Sequence, residues 1–265
     1  MKSSVNVLFI GDIVGQPGLA ITSKLLPGIK QKYDIDFTIA NGENAAAGKG
    51  ITDTIALEYF TLGIDVITSG NHIWDNYKVD KIFESNQNLL RPHNYPHGNK
   101  GKGIGVFEIK NTNLVIGVLN LQGRAFLYPI DDPFRVGLAE IDKMLQKTKM
   151  IVVDFHAESS AEKQAFGWYV DGKVSAVMGT HTHVQTADER ILPEGTAYLT
   201  DLGMTGSYDS VIGMKKEAAI KRFLLGSPVR YEIAGENLKI AGAVINIDTQ
   251  SGKATKVERI LLPGT

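Results

Sequence analysis

The sequence predicts an α/β protein whose helices cover mixed sheets, and three observations carry that prediction. Apolar runs of strand length alternate with helical stripes from the N-terminus onward: VNVLFI, a stripe through Leu19 and Ile29, DFTIA, a capped stripe, then IDVIT. The chain has 265 residues, 43% hydrophobic and 22% charged, enough to bury a sizeable core. No repeat, low-complexity tract or linker interrupts it, so residues 1–265 read as a single domain.

Each element has a local reason. Residues 5–10 end in Gly11 and read as a buried strand. Pro17 suits a helix start, and Leu19, Leu25, Leu26 and Ile29 supply its apolar stripe to about Tyr33. DFTIA (36–40) is the next strand. Thr52 or Asp53 caps a second helix, followed by the strand IDVIT (64–68). A short helix is expected from Asp75 onward. Residues 86–103, with Pro92, Pro96 and several Gly and Asn, read as loop. GVFEIK and LVIGVLN around NTN form a hairpin. Asp131 or Asp132 caps a helix that Pro133 opens, and MIVVDF (150–155) is a strand. Ser159 with Glu162 forms a capping box. VSAVM (174–178) is a strand, and VRYEIA, LKIAGAVINI and KVERILL read as antiparallel strands.

Composition removes several functional classes. With 28 basic and 29 acidic side chains and no long basic run, no extended nucleic-acid footprint is expected. Cysteine is absent, which excludes disulfides, a thiolate nucleophile and Cys-ligated metal. No apolar stretch approaches the ~20 residues of a membrane span. Asp12 interrupts the N-terminal apolar run, which reads as a strand rather than a signal peptide, so a cytoplasmic location is expected.

The polar residues then fall into a pattern. Asp12 follows LFI, Glu43 and Asn44 follow TIA, and Asn71 and His72 follow VIT. His156 follows VVDF, and His181 and His183 follow AVM. Each set stands just past the carboxyl end of an expected strand, and in open α/β sheets those ends converge on one crevice. In extended backbone, residues two apart point the same way, so His181 and His183 are expected to present both imidazoles to that crevice. Imidazole, carboxylate and amide donors together suit divalent transition metals. Asp12, Glu43, Asn71, His156, His181 and His183 are too many for one tetrahedral ion with an open position, which argues for two ions. Such a pair suits phosphoester hydrolysis.

The ordered set GD (11–12), NGEN (41–44), GNH (70–72), His156 in DFHAE and GTHTH (179–183) resembles the calcineurin-like metallophosphoesterases. Val14, Glu43 and Thr180 stand where that superfamily usually has His, Asp and His. These departures, with NGENAAAGKGIT, RPHNYP, GWYVDGK and TDLGMTG, resemble its YmdB-like phosphodiesterase subgroup. The resemblance implies a four-layer α/β/β/α sandwich of mixed sheets and a dinuclear phosphodiesterase acting on 2′,3′-cyclic nucleotides, with 3′,5′-cyclic ones a further candidate. It implies one ion on Asp12, Glu43 and His183, with Asn44 filling the place left by Val14. The other ion would take Glu43, Asn71, His156 and His181, with Glu43 bridging. His72 is the expected general acid for the ribose leaving oxygen, in a reaction where metal-bound hydroxide attacks phosphorus.

Fe or Mn fits these donors first, and Zn also fits. Asp154 is a candidate to orient a ligand histidine, on a side that strand alternation alone does not decide. Arg91 and Arg124 read as structural pairs, His93 and His97 as solvated loop residues, and Trp74, Phe126 and Tyr169 as core aromatics rather than base platforms. A P-loop, a dinucleotide fingerprint and G-x-S-x-G are all lacking. The rival readings are a phosphomonoesterase or nuclease of the same superfamily and a slow-turnover, nucleotide-sensing regulatory protein. A homo-oligomer is left open.

Overall fold

The computed structural model describes residues 2–75 and 79–264. In chain order the elements are β1 (Ser4–Ile10), β2 (Asp12–Ile13), α1 (Gly15–Lys32), β3 (Phe37–Asn41), α2 (Asp53–Thr61) and β4 (Val66–Thr68). After a 3₁₀ turn over Asn71–Asp75 come α3 (Val79–Ser85), β5 (Ile104–Glu108), β6 (Val115–Gln122), α4 (Pro133–Met144), β7 (Ile151–His156), α5 (Ser160–Tyr169) and β8 (Ala176–Thr180). The chain closes with β9 (Arg190–Ile191), β10 (Ala197–Leu199), β11 (Met204–Ser207), α6 (Lys216–Leu225), β12 (Leu238–Asp248) and β13 (Ala254–Pro263).

Two mixed sheets result. One runs β2-β11-β12-β1-β3-β4 with β13 on β12, the other β5-β6-β7-β8-β10-β9. Period-two alternation assigns each strand's side chains to a layer. Val7, Phe9, Phe37 and Ile39 of the first sheet meet Val118, Val152 and Met178 of the second in one buried cluster. Their chain neighbours Leu8, Ile10, Ala40 and Ile67 face outward onto Leu26 of α1, Tyr59 of α2 and Ile82 of α3. Leu119, Leu121, Val153 and Phe155 face the other way, onto Ile141 of α4 and Phe166 of α5. Three apolar layers between four layers of elements make the expected α/β/β/α sandwich.

Local chemistry explains the element starts. Thr52 caps α2 by accepting from Ile55 N, and Asp132 caps α4 by accepting from Phe134 N and Arg135 N, with Pro133 at the first helical position. Ser159 caps α5 through Glu162 N, but Glu162 does not reach back to complete a box. Its carboxylate instead accepts from Arg124 N and Ala125 N at the end of β6.

A further expectation fails. VRYEIA is not a strand: it carries only an isolated bridge from Met214 to Ile233. β12 already has β1 and β11 along one edge and β13 along the other, so VRYEIA cannot pair with it. α6 lacks the apolar periodicity that would have marked it, because Phe223, Leu224 and Leu225 are consecutive and exposed. Of the helix expected from Asp75 onward, Val79–Ser85 is helical, and residues 76–78 of that expectation lie outside the described residues.

Candidate metal centre

The inward face of the second sheet is apolar until its last rungs. Val118, Val152 and Ala176 are followed, two residues on, by Asn120, Asp154 and Met178, and then by Gln122, His156 and Thr180. The parallel register lines up Gln122 with His156 and His156 with Thr180. On the facing sheet Phe37, Ile39 and Asn41 share one face, and Val66 and Thr68 another rung of it. The polar rungs of both sheets therefore meet at the carboxyl ends of β3, β4, β7 and β8.

Glu43, His156 and His181 bring donor atoms within 4.8 Å of one another, a cluster that can hold a metal ion. His156 Nε2 lies 3.0 Å from Glu43 Oε1 and 3.0 Å from His181 Nδ1. His181 Nε2 is 3.1 Å from Glu158 Oε2, which leaves Nδ1 as its inward atom. A second pair stands beside them. His183 Nδ1 donates to the Ile212 carbonyl, so its Nε2 lone pair faces Asn44 Oδ1 at 3.1 Å. Asn44 Nδ2 donates to the Gly48 carbonyl, which fixes the amide with its oxygen toward His183. Two acceptors facing at that distance are satisfied by a shared cation. Asp12 Oδ1 and Asn71 Oδ1 are buried without a hydrogen-bond partner, as ligand oxygens awaiting a cation are. The donor set thus fits metal on observations at each expected ligand.

Electrostatics agree. Burial and the charges of Asp201 and Glu43 push Asp12 well above the usual carboxylate range. Burial also acts to raise Glu43, but His156 and His181 outweigh it and hold it well below that range. Burial lowers His156 to about 4, and it also lowers His183. For His181 burial lowers the pKa, yet Glu43 reverses the shift and raises it. Buried carboxylates and imidazoles gathered in this way are what a bound cation compensates.

The supporting shell is explicit. His156 Nδ1–H donates to Thr180 Oγ1 at 2.8 Å, and Thr180 donates to Asp154 Oδ1 at 2.7 Å. This relay fixes the histidine tautomer and leaves Nε2 free for a metal. Asp154 also accepts from Thr68 Oγ1 and Asn41 Nδ2, while Asn41 Oδ1 accepts from Glu43 N. Asp154 therefore lies on the same side as His156, and burial raises it to about 7. Gly70 is required by close approach: a Cβ there would overlap His156 Nε2 and Glu43 Oε2.

The two histidines of GTHTH do not sit in extended backbone. β8 ends at Thr180, and His181 and His183 adopt φ of 98° and 64°, so strand alternation does not explain how they reach the centre. Non-glycine residues hold such angles only where surroundings enforce them. Asp201 does this: its Oδ2 accepts from Thr182 N, Thr182 Oγ1 and the buried Lys163 Nζ. Asp201, Lys163 and Glu158 were not singled out from the sequence. Asp201 follows the strand AYL as the other acids follow theirs, and that was the available signal.

The remaining candidates separate. His72 is at the rim: its backbone N–H donates to Glu43 Oε2, and its Nδ1 lies 2.9 Å from Asp75 Oδ2. Arg91 binds the Pro92, Asn99 and Lys100 carbonyls and Arg124 pairs with Asp132, both structural roles as expected. His97 is exposed, but His93 is half-buried beside Glu140 rather than solvated. Phe126 is 90% exposed and is not a core aromatic, because Glu162 holds its loop outside α5. Tyr169 is half exposed against Phe134, whereas Trp74 packs in the core beside Phe83 and Tyr95. No helix among the described residues is long and apolar enough to cross a membrane.

A family model described as YmdB-like protein matches residues 8–260. A 2′,3′-cyclic-nucleotide 2′-phosphodiesterase of Bacillus subtilis is 50% identical over 258 residues, covering 97% of each chain. A crystal structure described as a novel phosphatase of Mycoplasma pneumoniae superposes with a TM-score of 0.92 at 34% identity, covering 99% of this chain and 95% of that one. A Thermus thermophilus structure described as a hypothetical protein has a TM-score of 0.88 at 38% identity, with 98% and 99% covered.

Proposed function

The chain belongs to the YmdB-like protein family, and from that premise we propose that it hydrolyses cyclic nucleotides at a dinuclear metal centre. The substrates are 2′,3′-cyclic nucleotides first and 3′,5′-cyclic ones second. The observation that carries the reading is two donor groups, Glu43–His156–His181 and His183–Asn44, together with an orphaned Asp12 oxygen beside them and a buried, unpartnered Asn71 oxygen.

Asp12, Glu43, Asn44 and His183 would hold one ion, and Glu43, Asn71, His156 and His181 the other, Glu43 bridging. Imidazole, carboxylate and amide donors favour Fe or Mn, with Zn fitting less exclusively. When bound, such a pair neutralises phosphoryl oxygens and lowers the pKa of a coordinated water. The chain's own residues do the rest. Glu43 is kept ionised by His156 and His181 and is anchored by the His72 backbone N–H. The Thr180–Asp154 relay keeps His156 in one tautomer. His72, paired through Nδ1 with Asp75, presents its other nitrogen to protonate the departing ribose oxygen as the P–O bond breaks.

The test is release of nucleoside monophosphate from 2′,3′-cyclic AMP by Mn²⁺-loaded protein, chelated protein and Glu43→Gln. Turnover that disappears on chelation and in Glu43→Gln agrees with the reading. Turnover that survives Glu43→Gln removes the bridge, and none with loaded metal removes the substrate.

A further inference from the structure

Resting on that reading, we propose that Gln122 is a substrate-binding residue of the centre: its side-chain amide donates from Nε2 to a phosphoryl oxygen of the phosphodiester. Gln122 is the last residue of β6 and is paired in parallel register with His156. Its side chain shares the inward face with His156, on the side of the ring opposite Thr180.

The amide is held, not loose. Asn94 clamps the Gln122 backbone from both ends, donating from Nδ2 to its carbonyl at 2.8 Å and accepting its N–H at 2.9 Å. Tyr95 then donates from its hydroxyl to Gln122 Oε1 at 3.0 Å. Burial pushes that hydroxyl up to about 12, so it remains a donor across the physiological range. Arg91 ties the same segment to the Pro92, Asn99 and Lys100 carbonyls. The stretch RPHNYP, which the metal ligands leave without a role, is thus the mount for one side chain.

What the mount presents is an unmade hydrogen bond. Gln122 is fully buried, and its Nε2 has no partner. Buried amide donors are almost always paired, and one fixed with its N–H unspent at a ligand centre is set for an acceptor that arrives with the ligand. A phosphoryl group is such an acceptor: its oxygens accept and do not donate. Asp12 and Glu43 can only repel them, so the anion needs neutral donors beside the ions. The charge of Glu43 also reaches Tyr95.

The experiment uses metal-loaded protein as wild type, Gln122→Met, Gln122→Glu and Tyr95→Phe. Inorganic phosphate binding is read by calorimetry, bound metal by mass spectrometry, and kcat/KM on 2′,3′-cyclic AMP. Gln122→Met keeps the volume and removes the donor. We expect phosphate to bind about 10- to 100-fold more weakly, the range for a hydrogen bond to a charged acceptor, at unchanged metal content. Gln122→Glu weakens it further by adding a carboxylate. Tyr95→Phe weakens it less, and adds nothing in the Gln122→Met background. Phosphate affinity within twofold of wild type overturns the proposal, as does a loss that tracks loss of metal. Weaker phosphate binding in Gln122→Met by a protein that turns over no cyclic nucleotide keeps Gln122 and removes the substrate reading above. A loaded wild type that binds no phosphate removes both.

Discussion

Thr180→Val tests whether the centre depends on its outer hydrogen bonds. Valine copies the shape of threonine and deletes one oxygen. That oxygen accepts from His156 Nδ1 at 2.8 Å and donates to Asp154 Oδ1 at 2.7 Å, and both partners are fully buried. Each group left unpaired costs about 1–3 kcal/mol, so the variant should lose about 2–6 kcal/mol of stability. For a chain of this size that is a fall in Tm of roughly 4–24 °C. The released imidazole can also turn or change tautomer, which should weaken metal binding about 10- to 100-fold. Thermal unfolding of the metal-free protein and a metal titration read the two effects separately. Thr180→Ser, which restores the oxygen, should recover most of both. A Thr180→Val protein with wild-type metal affinity would refute the relay, whatever its Tm.

Other perturbations act at other layers. Asp201→Asn should weaken the hold on Thr182 and Lys163, cutting activity by about tenfold or more while breaking a buried ion pair that costs roughly 3–5 kcal/mol; wild-type kinetics would show that the left-handed His181 and His183 need no such clamp. Gly70→Ala should place its methyl into His156 and Glu43, costing about 1–3 kcal/mol of overpacking and most metal binding; retained metal would contradict that contact. Asp132→Ala should cost about 1 kcal/mol at neutral pH as α4 loses its cap. Burial raises the Asp132 carboxyl, but the Arg135 and Phe134 N–H groups and Arg124 outweigh it and hold it below the usual range. Its contribution is therefore present above the ordinary carboxylate pKa of about 4 and disappears as pH falls through the lowered value. Urea unfolding across pH should show the two proteins converging in acid and separating near neutrality.

Much of this was legible in the sequence because strand ends are marked by short apolar runs and the ligand types stand directly after them. Glu43, His156 and His181 come together from separate elements, and the Asp12 and Asn71 oxygens are buried without a partner. Caps at Thr52, Asp132 and Ser159 were readable because a side-chain oxygen before an apolar stripe has one local use. What was not legible depends on distant partners. The conformation of GTHTH is set by Asp201, about twenty residues on, not by its own alternation. The direction of Asp154 emerges only when Thr180 and Asn41 close around it from two other strands. VRYEIA has a strand's alternation, but both edges of β12 are taken, and Phe126 lies outside the core while Glu162 spends its carboxylate on the loop rather than on a capping box. Gln122 carries no motif; its register partner and its orphaned N–H are properties of the assembled sheets.

Metal bound per chain, counted by mass spectrometry after Mn²⁺ loading, tests the dinuclear centre most directly when wild type is compared with His183→Ala. His183 faces Asn44 and not the Glu43–His156–His181 cluster, so removing it should spare one site. Two ions in wild type and one in the variant is the expected result. One ion in wild type, or an unchanged count in His183→Ala, contradicts a centre built from two donor groups.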